Sequence, residues 1–234
     1  AGRLSHRKVV KAVSKIAPRF AQGRNPAFPT ADARQREPRV RLITKNTEQT
    51  QLALGIRTCS RHDPRRYALR LLNTVLGENM SSRLFQVVRE DRGLAYSIYS
   101  SLNYFDDVGT LTISAGLDAG KLAETLKLIH RQMELLRRAM PGGAEFRRAR
   151  DYVLGQMDLG LESTDNQMMW LGEQLFGYGR ILPPAEIKRR LAKVRPGEIR
   201  DAARDFFRPE RLNLALVSPL KSDRGLVRML ANGR

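Results

Sequence analysis

A chain of 234 residues is long enough for one large domain, or one domain with appendages, and its 41% hydrophobic and 28% charged residues are those of an ordinary globular protein with a real core. No apolar run approaches the ~18 residues that a membrane span requires, so no bilayer crossing is expected. The formal charge of +18 raises nucleic acid as a partner. Apart from concentrations at Arg61, Arg65, Arg66 and Arg70 and around Arg137, Arg138, Arg147, Arg148 and Arg150, however, the cations are spread over nearly every polar helix face, the pattern of solvated surfaces.

The chain opens Ala1-Gly2-Arg3-Leu4 with neither an initiator Met nor a signal-like apolar stretch, which reads as an internal start. Ser5 is an N-cap candidate ahead of apolar residues at helical spacing, so a helix is expected to about Phe20. Residues 21–38 carry Gly23, Pro26, Pro29 and Pro38 without an apolar period, the composition of an extended linker. The main domain then runs from Arg39 to Arg234.

Arg39–Thr44 and Gln51–Ile56 alternate apolar with polar or small residues and predict two half-buried strands, neighbours in one sheet. Pro64 opens a helix that Gly77 is expected to end, and a second helix follows from Ser81 to Arg92. Two more strands are expected at Leu94–Tyr104 and Gly109–Gly116. Beyond Asp118 the period becomes helical, giving Gly120–Arg138, Ala144–Glu162, Asp165–Tyr178, Ala185–Lys193 and Gly197–Phe207, punctuated by Pro141-Gly142-Gly143, Pro183-Pro184 and Pro196. A strand returns at Leu212–Val217. This order predicts an α+β domain, a largely antiparallel sheet with helices layered on one face.

Few residues offer chemistry of their own. His6, His62 and His130 fall in three unrelated segments, and His130 with Glu134 could supply two metal ligands but has no third. No Ser or Cys sits in a Gly-x-Ser-x-Gly elbow, and Gly77-Glu78-Asn79-Met80 lacks the Gly-Lys-Ser of a phosphate loop. Cys59, the single cysteine, reads as a small buried hydrophobe.

The stretch from Leu72 to Ser100 is more specific. It contains Leu76-Gly77-Glu78-Asn79-Met80-Ser81-Ser82-Arg83-Leu84-Phe85 and then Arg89-Glu90-Asp91-Arg92-Gly93-Leu94-Ala95-Tyr96. It resembles the second homologous half of pitrilysin/insulinase-type metallopeptidases, the inverted zinc-motif family related to mitochondrial processing peptidase. There a Leu-Gly-(small)-Met-Ser-Ser-Arg-Leu run leads into Arg-Glu-x-Arg-Gly-Leu-(Ala/Gly)-Tyr. Later landmarks at Glu162–Asn166, Tyr178-Gly179-Arg180, Leu182-Pro183 and Phe206–Leu212 are similar in order, so the likeness spans nearly all of Arg39–Pro219. The leading Gly2–Val9 resembles the end of a preceding half, which would make residues 1–20 that half's terminal helix. A long glycine-rich loop near Gly77–Met80, typical of the processing peptidase alpha subunit, is lacking, which favours a bacterial relative.

The resemblance implies two αβ halves clasping a peptide substrate. Zinc would be held by a His-x-x-Glu-His motif in the amino-terminal half or in a homologous partner subunit. This chain has no such motif, so it is expected to bind no metal or cofactor itself and to hydrolyse nothing alone. By the same resemblance, Arg89 and Tyr96 match the positions that face substrate and stabilise the oxyanion. The competing reading puts Leu94, Tyr96, Ile98, Leu102 and Tyr104 on one parity of a strand facing a core. Among partners, a homodimer is also compatible with the family. Two other functions compete: a catalytically silent partner subunit, and a basic nucleic-acid-binding module, for which no motif is present and which would require high-salt elution from heparin.

Overall fold

The computed structural model describes residues 1–21, 23, 28–32 and 34–232. The linker expected over 21–38 therefore falls partly outside the described residues, at Gln22, 24–27 and Ala33, while its described remainder forms neither helix nor strand.

Five strands form one sheet, β1 (Arg39–Thr44), β2 (Thr50–Thr58), β3 (Ala95–Tyr104), β4 (Gly109–Leu117) and β5 (Leu212–Ser218), in the order β1-β5-β2-β4-β3. All pairings are antiparallel except β1 with β5. The expectation that β1 and β2 are neighbours is corrected here, because β5 enters between them. Arg39 and Arg41 suit β1 to the sheet edge, where exposed charges discourage further pairing, and β5 brings Leu212, Leu214 and Leu216 to the interior.

Strict alternation gives the sheet two unlike faces. Leu52, Leu54 and Ile56 of β2, Leu111 and Ile113 of β4, and the three leucines of β5 point to one side and are nearly solvent-free. Helices cover that side, except the first, which packs on none of the strands. They are α1 (His6–Ser14), α2 (Arg66–Asn73), α3 (Leu122–Arg138), α4 (Gly143–Gly160), α5 (Thr164–Tyr178), α6 (Pro184–Lys193), α7 (Pro196–Phe206) and α8 (Leu226–Asn232). α2 packs on α7 and α7 on α3, supplying Leu69, Leu72, Ile129, Ile199 and Phe206 to one continuous core. Each fully buried leucine contributes about 1.5–3 kcal/mol of transfer free energy. Cys59 joins this core, and burial pushes its thiol up to about 11.

Three helical features differ from the pattern in the sequence. The first helix stops at Ser14 and is followed by a single tight turn at Ala17–Arg19, and none of its residues is buried. Gly77 does not end a helix, because α2 continues through a π-helical turn over Thr74–Glu78. A Cβ at Gly77 would stand 2.7 Å from Ser100 Oγ and 3.0 Å from Ser100 N, so the glycine lets this turn lie against β3. The third feature, α8, had no counterpart in the sequence reading and packs on β1 and α3.

Candidate functional site

The segment after α2 is built around a held carboxylate. Glu78 accepts hydrogen bonds from Thr74 Oγ1 at 2.7 Å and Asn73 Nδ2 at 3.2 Å, and is ion-paired with Arg70. The Asn79 side chain then accepts from Ser81 N at 2.9 Å, turning the chain into the next helical stretch. Arg83 forks onto Glu145 in the first turn of α4 through bonds of 2.7 and 2.8 Å, which docks that stretch against the helical layer.

Phe85–Glu90 is a second π-helical turn and carries Arg89. The Arg89 guanidinium lies 4.9 Å from the Phe85 ring centroid, and its Nε is 3.9 Å from Glu90 Oε1, so the fork keeps its donors available on a half-exposed side chain. Gly93, at φ +57°, supplies the left-handed residue that ends the stretch, with Gly93 N donating to Arg89 O and Leu94 N to Val88 O. The chain then enters β3.

At that entry the register breaks. Ala95 pairs with Leu117 and Ser97 with Gly116, leaving Tyr96 as the extra residue of a β-bulge. The reading that set Tyr96 beside Ile98, Leu102 and Tyr104 on a core-facing parity is thereby corrected. Ile98 is buried, whereas Tyr96 is 57% exposed on the uncovered side of the sheet with Tyr99. The Tyr96 hydroxyl donates to Asp118 Oδ1 at 3.2 Å. Asp118 also meets Lys121 Nζ at 3.4 Å, and Lys121 donates to Gly93 O at 3.1 Å. Arg89 and Tyr96 thus share one scaffold, although their side chains make separate contacts. Asp118 and Lys121 were not singled out in the sequence, because only the β3–β4 register brings them to the start of β3.

The uncovered face carries a patch of small residues among bulkier ones, Arg41, Ile43, Gln51 and Tyr99. Ala53, Ser97, Ser114 and Ala215 floor a concavity of about 350 Å³ rimmed by Arg41 and Tyr99. A backbone could approach such a floor closely. Chemically, the face offers a phenol donor, a guanidinium fork and small polar side chains.

The donor set does not fit a zinc ion. The three histidines lie in separate segments, His62 stands 3.5 Å from Asp106 and edge-on to Tyr178, and among the described residues no three His, Cys, Asp or Glu side chains converge.

The described arrangement is that of a mixed αβ half-domain with one helix-covered and one open sheet face. The chain belongs to the peptidase M16 family, its residues 1–153 matching what that family describes as the peptidase M16 inactive domain. It is 36% identical over 227 residues to an uncharacterized zinc protease of Streptomyces coelicolor, covering 94% of this chain and 49% of that protein. It is 38% identical over 175 residues to the uncharacterized zinc protease YmxG of Bacillus subtilis, covering 75% of this chain and 42% of the relative. The chain spans about half the length of the curated relatives it matches. In fold it is similar to the crystal structure of a peptidase M16 inactive domain from Pseudomonas fluorescens, with a TM-score of 0.79 at 21% identity, covering 94% of this chain and 52% of that one. A protease from Helicobacter pylori superposes with a TM-score of 0.80 at 18% identity, covering 92% and 53% of the two chains. The α+β expectation and the family resemblance both hold.

Proposed function

We propose that this chain is the substrate-holding, metal-free half of an M16-type zinc endopeptidase, working with an amino-terminal metal-bearing half or a homologous partner subunit. The observation that carries this reading is the bulge that turns Tyr96 out of the core and onto the open, small-residue face of the sheet. A tyrosine whose only task was packing would gain by staying on the covered side with Ile98.

In the assembled enzyme the zinc ion, on the other half, supplies an activated water. This chain's residues bind and orient. The Tyr96 hydroxyl donates to the oxygen of the scissile carbonyl as negative charge develops there, while the Arg89 guanidinium fixes the substrate backbone in its fork. The peptide lies extended over Ala53, Ser97, Ser114 and Ala215. A hydroxyl already held by Asp118 at 3.2 Å is cheap to redirect, because that distance exceeds the usual 2.5–3.0 Å for O–H···O by about 0.2 Å. The partner surface fits as well. Val9, Val10, Val13 and Ile16 of the first segment are 44–54% exposed, the expected state of a helix that belongs to the preceding half and packs there, with residues 21–38 as the tether.

The test is reconstitution with a metal-bearing M16 half, reading cleavage of a quenched fluorescent peptide. Cleavage by the pair and by neither half alone supports the proposal. A pair that assembles around an intact zinc site and does not cleave identifies a silent partner subunit instead.

A further inference from the structure

On the helical side of the sheet, opposite the open face, α2, α4, α5 and α6 enclose a second space of about 310 Å³. Ligand sites begin at roughly this size. Val153, Met157, Leu182, Ile187 and Leu191 make one part of its wall apolar, Arg70, Tyr104 and Gln156 stand on the polar part, and two further polar groups on it lack the partners their neighbours have.

The first is Arg66. Its guanidinium is stacked 4.8 Å from the Tyr67 ring and 4.9 Å from the Tyr178 ring, and it donates to Tyr67 Oη at 2.8 Å. Among the described residues no carboxylate lies within ion-pair distance of it, whereas nearby Arg65 has Asp63 and Asp205, Arg70 has Glu78 and Arg190 has Glu186. The second is Gln174, 8% exposed, whose Oε1 is buried without a hydrogen-bond partner. Native proteins seldom leave such an acceptor orphaned without a reason. Gln174 and Tyr178 are one turn apart on α5, which sets their Cβ atoms about 5–6 Å apart. The Arg66 guanidinium stacked on Tyr178 and the orphaned amide oxygen therefore belong to one corner of the cavity.

We propose that this cavity binds a free α-amino acid with a large apolar side chain. The α-carboxylate pairs with Arg66, in a charge-assisted contact that the aromatic rings shield from water. The α-ammonium donates to Gln174 Oε1, and the side chain fills the space lined by Met157, Ile187 and Leu191. The site is independent of the assignment of Arg89 and Tyr96, and its test involves neither residue.

Isothermal titration of the full chain with L-phenylalanine, phenylalaninamide and 3-phenylpropanoate separates the contributions. L-phenylalanine is expected to saturate one site, with the amide, which lacks the carboxylate, and the propanoate, which lacks the nitrogen, each weaker by at least about tenfold. Gln174→Met should lose the same affinity without lowering the thermal midpoint, since it removes an unpaired buried acceptor at similar volume. Absence of saturable binding of L-phenylalanine to the unmodified chain, equal binding of the propanoate, or undiminished binding to Gln174→Met would each overturn the proposal.

Discussion

Tyr96 and Asp118 meet across the β3–β4 ladder, the phenol hydroxyl donating to Asp118 Oδ1 at 3.2 Å from the one residue of β3 that has no partner in β4. The bulge aims the ring and the carboxylate parks its hydroxyl. Tyr96 is largely exposed and Asp118 about half-exposed, so Asp118→Ala should change the unfolding free energy by no more than about 0.5 kcal/mol. In the assembled enzyme the same substitution should lower kcat/KM by less than the loss of the hydroxyl itself, because the donor survives and only its orientation is freed. Urea unfolding together with peptide turnover measures both effects.

Gly77 makes a sharper structural prediction. A methyl group there would lie 2.7 Å from Ser100 Oγ and 3.0 Å from both Ser100 Cβ and N, where backbone as well as side chain must give. Gly77→Ala is expected to destabilise the chain by about 1–3 kcal/mol, as overpacking does. The double variant Gly77→Ala, Ser100→Gly should recover part of that loss by removing the side-chain clash. A stability unchanged in the single variant would refute the close approach.

His130 sets a pH dependence. Burial in α3 lowers its pKa below the ordinary 6.5, with Arg137 adding to the shift and Glu134 opposing it. The folded chain therefore takes up this proton less readily than the unfolded one. The resulting stability is present above about pH 6.5 and is lost as pH falls through the folded pKa. Between about pH 7 and pH 5 the unfolding free energy of the wild type should decline more steeply than that of His130→Gln, and parallel curves would contradict it.

The Arg83–Glu145 fork joins the motif segment to α4, with both side chains about three-quarters buried, at 21% and 24% exposure. Truncating one partner leaves the other charge largely buried and unpaired. Each of Arg83→Met and Glu145→Gln should cost about 1–3 kcal/mol, and the double variant less than their sum, a coupling that a double-mutant cycle reads directly.

Much of this was legible in the sequence because local chemistry and global fold agree. The alternation in Gly109–Gly116 and Leu212–Val217 places the strands to within a residue, and Pro183-Pro184 and Pro196 mark the starts of α6 and α7. The neighbours of β1 were not legible, since strand pairing depends on where β5 returns more than a hundred residues later, and no local signal encodes that. The helix after Gly225 was missed because it is only seven residues long and comes after a polar, turn-like Lys221–Arg224 stretch. Tyr96 was singled out by family resemblance alone, whereas periodicity placed it with the core-facing residues of β3, from which the bulge removes it. A bulge shifts the parity by one residue without leaving a mark in the pattern of side chains.

The central claim rests on the Tyr96 hydroxyl, and the most direct measurement is the turnover of Tyr96→Phe in the assembled zinc-bearing enzyme, with zinc content and thermal midpoint checked alongside. Loss of an oxyanion donor should lower kcat by about 10²–10³ while KM, zinc content and stability stay nearly constant. An unchanged kcat in a fully zinc-loaded, folded variant would contradict the account and return Tyr96 to an exposed side chain without a part in catalysis.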